Sequence, residues 1–154
     1  AYGRSKLAGE QAIQNSGLKN YYIIRTAWLY GKDGKNFVET MLSLAEKGQP
    51  IKVIDDQVGS PTYAADLAKA TRGLVESKKP SGIYHRTNAG QTSWHGFAKE
   101  IFSVFHKQVN LSPCASSEYP LPAKRPTFSV LNNTKQEPMR KWQEGLRAYE
   151  QEKK

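Results

Sequence analysis

Six consecutive residues, Tyr21-Tyr22-Ile23-Ile24-Arg25-Thr26, restrict the fold more than any other stretch of the chain. Aromatic and β-branched side chains make this run a strand, and apolar neighbours in succession mark burial on both faces, as in a parallel sheet. A helix is predicted on its N-terminal side, from about Tyr2 to Asn15, ending near Gly17 where a left-handed cap is least costly. Further helices and strands follow in alternation, the pattern of an α/β fold. In such folds ligands gather at the C-terminal ends of the strands, which here means Thr26-Ala27-Trp28.

Beyond a loop at Gly31 to Gly34, Asn36 is a candidate N-cap with Glu39 at the third helical position. Phe37, Met41, Leu44 and Ala45 follow at helical spacing as core, and Gly48-Gln49-Pro50 stops the helix. Ile51 to Ile54 reads as a short strand, and Asp55 to Thr62 as a polar loop before a helix with the buried stripe Ala64, Leu67, Ala68, Thr71, Leu74 and Val75. A turn at Lys78 to Gly82 leads to a strand at Ile83 to Thr87. The next helix begins near Ser93, with Trp94, Phe97, Ala98, Ile101 and Phe105 on its apolar face. Prolines at 113, 120, 122 and 126 prevent Asn110 to Val130 from forming one regular element. The last helix is expected from about Pro138, turning Met139, Trp142, Leu146 and Tyr149 inward.

Composition excludes several function classes. Hydrophobic residues make up 38% and charged residues 24% of 154 positions, which argues against disorder. No run of 18 apolar residues exists to span a membrane, and the first residues lack the apolar core of a signal peptide. The single cysteine, Cys114, forms no internal disulfide, and these features are compatible with a cytoplasmic protein. The net charge of +9 is spread along the chain without an aromatic-basic module or paired-cysteine finger. It suits small diphosphate ligands better than nucleic acid. His85, His95 and His106 have no metal-ligand spacing, so no metal site is expected from the protein itself. Asp56 and Asp66 have no companion feature that would make them an acid pair.

The chemistry-bearing stretch is Tyr2-Gly3-Arg4-Ser5-Lys6-Leu7-Ala8-Gly9-Glu10. On a helix Tyr2 and Lys6 lie one turn apart on one face. An ammonium fixed beside a phenol favours the ionised form, so that the phenol can exchange a proton with a carbonyl or alcohol. This stretch resembles the Tyr-x-x-x-Lys signature of the extended short-chain dehydrogenases/reductases, the nucleotide-sugar-modifying branch of that superfamily. Three further stretches narrow the resemblance to the dTDP-4-dehydrorhamnose reductase family: Arg25-Thr26-Ala27-Trp28-Leu29-Tyr30-Gly31, Asp56-Gln57-Val58-Gly59-Ser60-Pro61-Thr62 and Arg125-Pro126-Thr127-Phe128-Ser129-Val130-Leu131.

The resemblance implies a Rossmann-like extended reductase with a substrate-binding subdomain. It implies reduction of a dTDP-sugar 4-keto group with NADPH or NADH, Tyr2 serving as acid and Lys6 holding the nicotinamide ribose. Thr26 and Ala27 are implied to pass the nicotinamide. Trp28, Asn36, Gln57, Gly59, Ser60, Pro61, Thr62 and Arg125 are implied to contact the nucleotide sugar. The readings set against these are a core indole for Trp28, a helix cap for Asn36 and a solvated cation for Arg125. The family also implies a homodimer in the intact enzyme, and magnesium at the dimer interface of some members. No glycine-rich dinucleotide loop of the Gly-x-x-Gly-x-x-Gly kind occurs. Residues 1-154 are therefore expected to be the C-terminal catalytic and substrate-binding portion of a larger enzyme, without the cofactor-binding half. The competing expectation is a non-catalytic, regulatory relative of the same fold.

Overall fold

In the computed structural model, which describes residues 1–119, 123 and 125–154, the expected first helix forms as α1 (Tyr2–Gln14) and the buried run as β1 (Tyr22–Arg25). The first half continues with β2 (Leu29–Tyr30), α2 (Phe37–Glu46), β3 (Ile51–Ile54), β4 (Val58–Gly59), β5 (Thr62–Tyr63) and α3 (Ala64–Glu76). The second half contains β6 (Gly82–His85), β7 (Thr92–Ser93), α4 (Trp94–Val104), β8 (Leu111–Cys114) and α5 (Trp142–Lys153). The expected helices and the three expected strands all form, with ends shifted by a few residues.

The strands pair two by two. β1 lies parallel to β6 with Ile23 opposite Ile83, and β3 lies parallel to β8 with Val53 opposite Pro113. β2 pairs parallel with β5, and β4 antiparallel with β7. The α/β expectation holds, with the long strand pairs parallel. The strand β8 was not anticipated, because Pro113 argued against regular structure. Proline is tolerated there because it removes only a donor from a strand that pairs on one side among the described residues. The neighbouring Pro120 and Pro122 lie outside the described residues.

The core joins α2, α4 and α5 around an aromatic cluster. Phe97, Tyr30, Tyr63, Tyr149 and Trp142 are buried there with Val38, Ile101 and Leu146. Phe97 has ring centres at 5.6 Å from both Tyr30 and Trp142, close enough for aromatic attraction beyond area burial.

Two expected faces are corrected. On α3, Leu74 is buried as expected, but Ala68 and Val75 are exposed, and the buried residue of the first turn is Asp66. Its carboxylate is tolerated because Arg140 donates to it at 2.8 and 2.6 Å and Asn88 at 2.8 Å. The last helix starts at Trp142 rather than near Pro138. Backbone groups before it are committed elsewhere: Ala89 N–H donates to Arg140 O at 2.9 Å and Trp142 N–H to Ala89 O at 3.0 Å.

Candidate active site

Tyr2 and Lys6 lie on a helix whose side chains are none of them buried. Tyr2 is 77% exposed, and the Lys6 ammonium is 5.5 Å from the centre of its ring, as one-turn spacing requires. The chain then reverses, and Glu10 of α1 meets Arg25 at the end of β1. Arg25 Nε and Nη2 donate to the two carboxylate oxygens at 2.8 and 2.6 Å. The hydrogen bond from Arg25, with its positive charge, holds the Glu10 carboxyl below its usual range despite an opposing desolvation contribution.

Directly after β1, Thr26 Oγ1 is buried without a hydrogen-bond partner among the described residues. Such a hydroxyl is costly to leave unpaired, and at a strand end it suits a ligand hydroxyl or amide. Ala27 is half-buried beside it. Trp28 adopts a left-handed backbone, φ 48°, uncommon for a bulky residue and a mark of sites where the surroundings overdetermine the conformation. Its carbonyl accepts from Thr62 N–H at 3.1 Å, tying the β1 end to the predicted substrate loop.

The indole of Trp28 stacks on Trp94, with ring centres 3.5 Å apart and planes 10° apart. Phe37 packs against the same Trp94 ring at 4.6 Å. Trp94 and Phe37, expected only as core, therefore extend the site. Their apolar helix spacing was visible in sequence, but their meeting with Trp28 was not.

The loop residues divide into two groups. Gln57 is buried and lines a cleft of about 280 Å³ with Ile54, Ser116, Tyr119 and Arg125. Ser60, Pro61 and Thr62 are buried: Ser60 lines a separate hollow with Gly90, Val130 and Leu131 and its Oγ donates to Gly90 O at 2.8 Å, while Thr62 pairs through its backbone with Leu29. Tyr63 holds the N-cap position of α3, its N–H donating to Asn88 Oδ1 at 2.9 Å. Gly59 lies against the Trp28 indole.

Arg125 is exposed and borders a second cavity of about 260 Å³ that shares Ile54 and Tyr119 with the first. Phe37, Met41, Val53 and Trp94 form its apolar floor, and Lys52 adds a cation at its edge. Asp56 anchors the facing segment by accepting from Ser116 N–H and Oγ–H, both at 2.9 Å. The backbone hydrogen bond, then the side-chain one, holds its carboxyl below the usual range. Asp56 and Asp66 thus have separate structural partners and form no acid pair.

Asn36 is committed to local structure. Its Oδ1 accepts from Glu39 N–H at 3.1 Å, and its Nδ2 donates to Gly31 O at 2.9 Å. It borders a different hollow, with Lys35 and Lys47, rather than the Gln57–Arg125 cleft. The three histidines are separate: His85 Nδ1 faces Asn132 O at 3.2 Å, His95 Nδ1 faces Asp55 at 3.8 Å, and His106 ends α4 with φ 52°. Among the described residues no three His, Cys, Asp or Glu side chains gather in a metal-binding group. No helix among them is long and apolar enough to cross a membrane.

The arrangement is a Tyr–Lys pair, an unpaired hydroxyl at a strand end, and a cleft with an aromatic floor and cationic rim. A protein-family description, "RmlD substrate binding domain", matches residues 1–154. The chain is 44% identical over 156 residues to the spore coat polysaccharide biosynthesis protein SpsK of Bacillus subtilis, covering 99% of this chain and 54% of that protein. It is 41% identical to a dTDP-4-dehydrorhamnose reductase of Burkholderia thailandensis, over 86% of this chain and 50% of that one. The crystal structure of dTDP-4-dehydrorhamnose reductase from Bacillus anthracis in complex with NADP superposes with a TM-score of 0.93 at 42% identity, covering 99% of this chain and 55% of that one. The chain spans about half the length of the curated relatives it matches. Matched along its whole length and through its fold, the chain belongs to the dTDP-4-dehydrorhamnose reductase family.

Proposed function

We propose that this chain carries the catalytic and substrate-binding residues for NAD(P)H-dependent reduction of the 4-keto group of dTDP-4-dehydro-6-deoxy-L-mannose, giving dTDP-L-rhamnose. The Tyr2–Lys6 pair carries this reading, with its 5.5 Å ammonium-to-ring spacing, in a chain of this reductase family. When bound, the nicotinamide supplies hydride to the carbonyl carbon. Tyr2 gives its phenolic proton to the carbonyl oxygen, and Lys6 holds the ribose hydroxyls. Thr26 Oγ1 fits this cofactor, since it offers a buried hydroxyl with no protein partner among the described residues.

The nucleotide sugar occupies the cleft of Gln57, Tyr119, Arg125 and Trp94 in this reading. The guanidinium and Lys52 face its diphosphate, and the apolar floor takes a planar base. Trp28 and Gly59 shape the cleft from behind the Trp94 ring, while Asn36, Ser60, Pro61 and Thr62 act by holding its walls. A cytoplasmic setting and a homodimer belong to the same reading.

The test is a ketoreductase assay on the full-length protein, following NAD(P)H absorbance with the dTDP-4-keto sugar. Turnover that disappears with Tyr2→Phe is the expected result. Turnover unchanged by Tyr2→Phe removes Tyr2 from the mechanism, and no turnover in a folded, cofactor-binding wild-type protein favours a non-catalytic relative.

A further inference from the structure

We infer that the ion pair between Glu10 and Arg25 is a positioning latch, setting the rotation and advance of α1 so that Tyr2 and Lys6 face the end of β1. The inference rests on the catalytic reading of Tyr2 and Lys6. Its first support is that the contact ties α1 to another element of the fold. Among the described residues no other hydrogen bond or salt bridge joins α1 to a different element.

The second support is geometric. Tyr2, Lys6 and Glu10 recur every four residues, so at 3.6 residues per turn they lie within about a quarter turn of one another. Fixing Glu10 against the sheet therefore fixes the face that carries Tyr2 and Lys6. Along the axis Tyr2 is eight residues, or about 12 Å, ahead of Glu10. Beyond Arg25 the chain leaves β1 and reaches Trp28 in three residues, at most about 10 Å away. The chain reverses between α1 and β1, so Tyr2 and the Thr26 to Trp28 segment lie on the same side of the latch.

The third support is the form of the contact. Arg25 uses two nitrogens on two oxygens, at 2.8 and 2.6 Å, and such a fork constrains orientation as a single point charge does not. The Glu10 side chain is only 15% exposed, whereas Arg25 is 41% exposed. Glu10 touches no reacting atom in this scheme, so it acts through Tyr2 and Lys6.

The experiment compares full-length wild type, Glu10→Gln, and the exchanged pair Glu10→Arg with Arg25→Glu, beside Tyr2→Phe. A misplaced catalytic group costs on the order of 10- to 100-fold in rate. In Glu10→Gln, kcat is expected to fall by about that factor, while the KM for the nucleotide sugar stays within about twofold. Amide hydrogen exchange over residues 5–14 is expected to accelerate with the melting temperature unchanged, and the exchanged pair is expected to recover kcat. A Glu10→Gln kcat within about twofold of wild type overturns the latch. So does unchanged protection of residues 5–14, or a rate loss matched by loss of folded protein. Full activity in Tyr2→Phe sinks the catalytic reading instead, and the exchange measurement then judges the latch by itself.

Discussion

The Trp28 indole lies so close over Gly59 that a β-carbon on residue 59 would overlap Trp28 Cε2. That ring is held on its other contacts by the stack with Trp94, so it has little freedom to withdraw. Gly59→Ala is expected to displace Trp28 and to destabilise the protein by about 1–3 kcal/mol, the usual cost of overpacking. Denaturant unfolding checks the stability, and altered tryptophan fluorescence in the folded state checks the displacement. A Gly59→Ala protein with wild-type midpoint and emission would remove the steric requirement.

Tyr2→Phe keeps the ring beside Lys6 and removes the proton donor. In the full-length protein kcat is expected to fall roughly 100-fold or more, as for loss of a general acid. Binding of NAD(P)H, titrated separately, should persist because Lys6 remains.

The buried carboxylate of Asp66 depends on Arg140, 74 residues away in sequence. The Asp66 side chain is 9% exposed and Arg140 is 38% exposed, so the pair stands between surface and fully buried cases. Arg140→Ala is expected to cost about 2 kcal/mol, above the surface value and below that of a wholly buried pair. Replacing Asp66 by Asn in the Arg140→Ala background should recover part of the loss, because the uncompensated charge is gone.

Alkaline pH should weaken the fold through three tyrosines. Burial, then the Asp66 charge, pushes the Tyr30 phenol far up; burial, then the hydrogen bond to Glu39, does the same for Tyr149. Burial, then the hydrogen bond to Glu152, pushes Tyr63 up to about 12. A raised value means that the folded state favours the neutral phenol. The stability it contributes is complete below the unfolded value of about 10 and is lost as pH rises through the folded values. Denaturation midpoints should therefore hold to about pH 10 and decline above it. Tyr63→Phe should flatten the decline, and an unchanged slope in that variant would exclude Tyr63 from it.

Arg125→Ala is expected to weaken dTDP binding about tenfold, the loss of one charge-assisted contact. NMR titration of dTDP and ATP at about 0.15 M salt separates site binding from general attraction to a basic surface. Shifts at Ile54, Gln57 and Trp94 with dTDP support the cleft. Equal shifts for both ligands, scattered over lysines, would assign the binding to net charge alone.

Sequence by itself determined the features that arise from neighbouring residues. The strand over Tyr22–Arg25, the Asn36 cap on α2, the start of α4 near Ser93 and the one-turn spacing of Tyr2 and Lys6 all follow from local propensity, capping and helical periodicity. The family, too, was legible in four short motifs. Tertiary structure decided which of those motif residues line the Gln57–Arg125 cleft and which do not. Asn36, Ser60, Pro61 and Thr62 stand in the same motifs as Trp28 and Gln57, yet their polar groups or side chains are taken up by the fold. The stack of Trp28 on Trp94, the clasp of Arg140 on Asp66 and the fork of Arg25 on Glu10 join residues distant in the chain. Local periodicity does not specify such pairs, because their energies exist only after the chain has closed on itself. Pro113 makes the same point: its missing N–H spoke against a strand, and only the one-sided pairing of β8 with β3 made that loss immaterial.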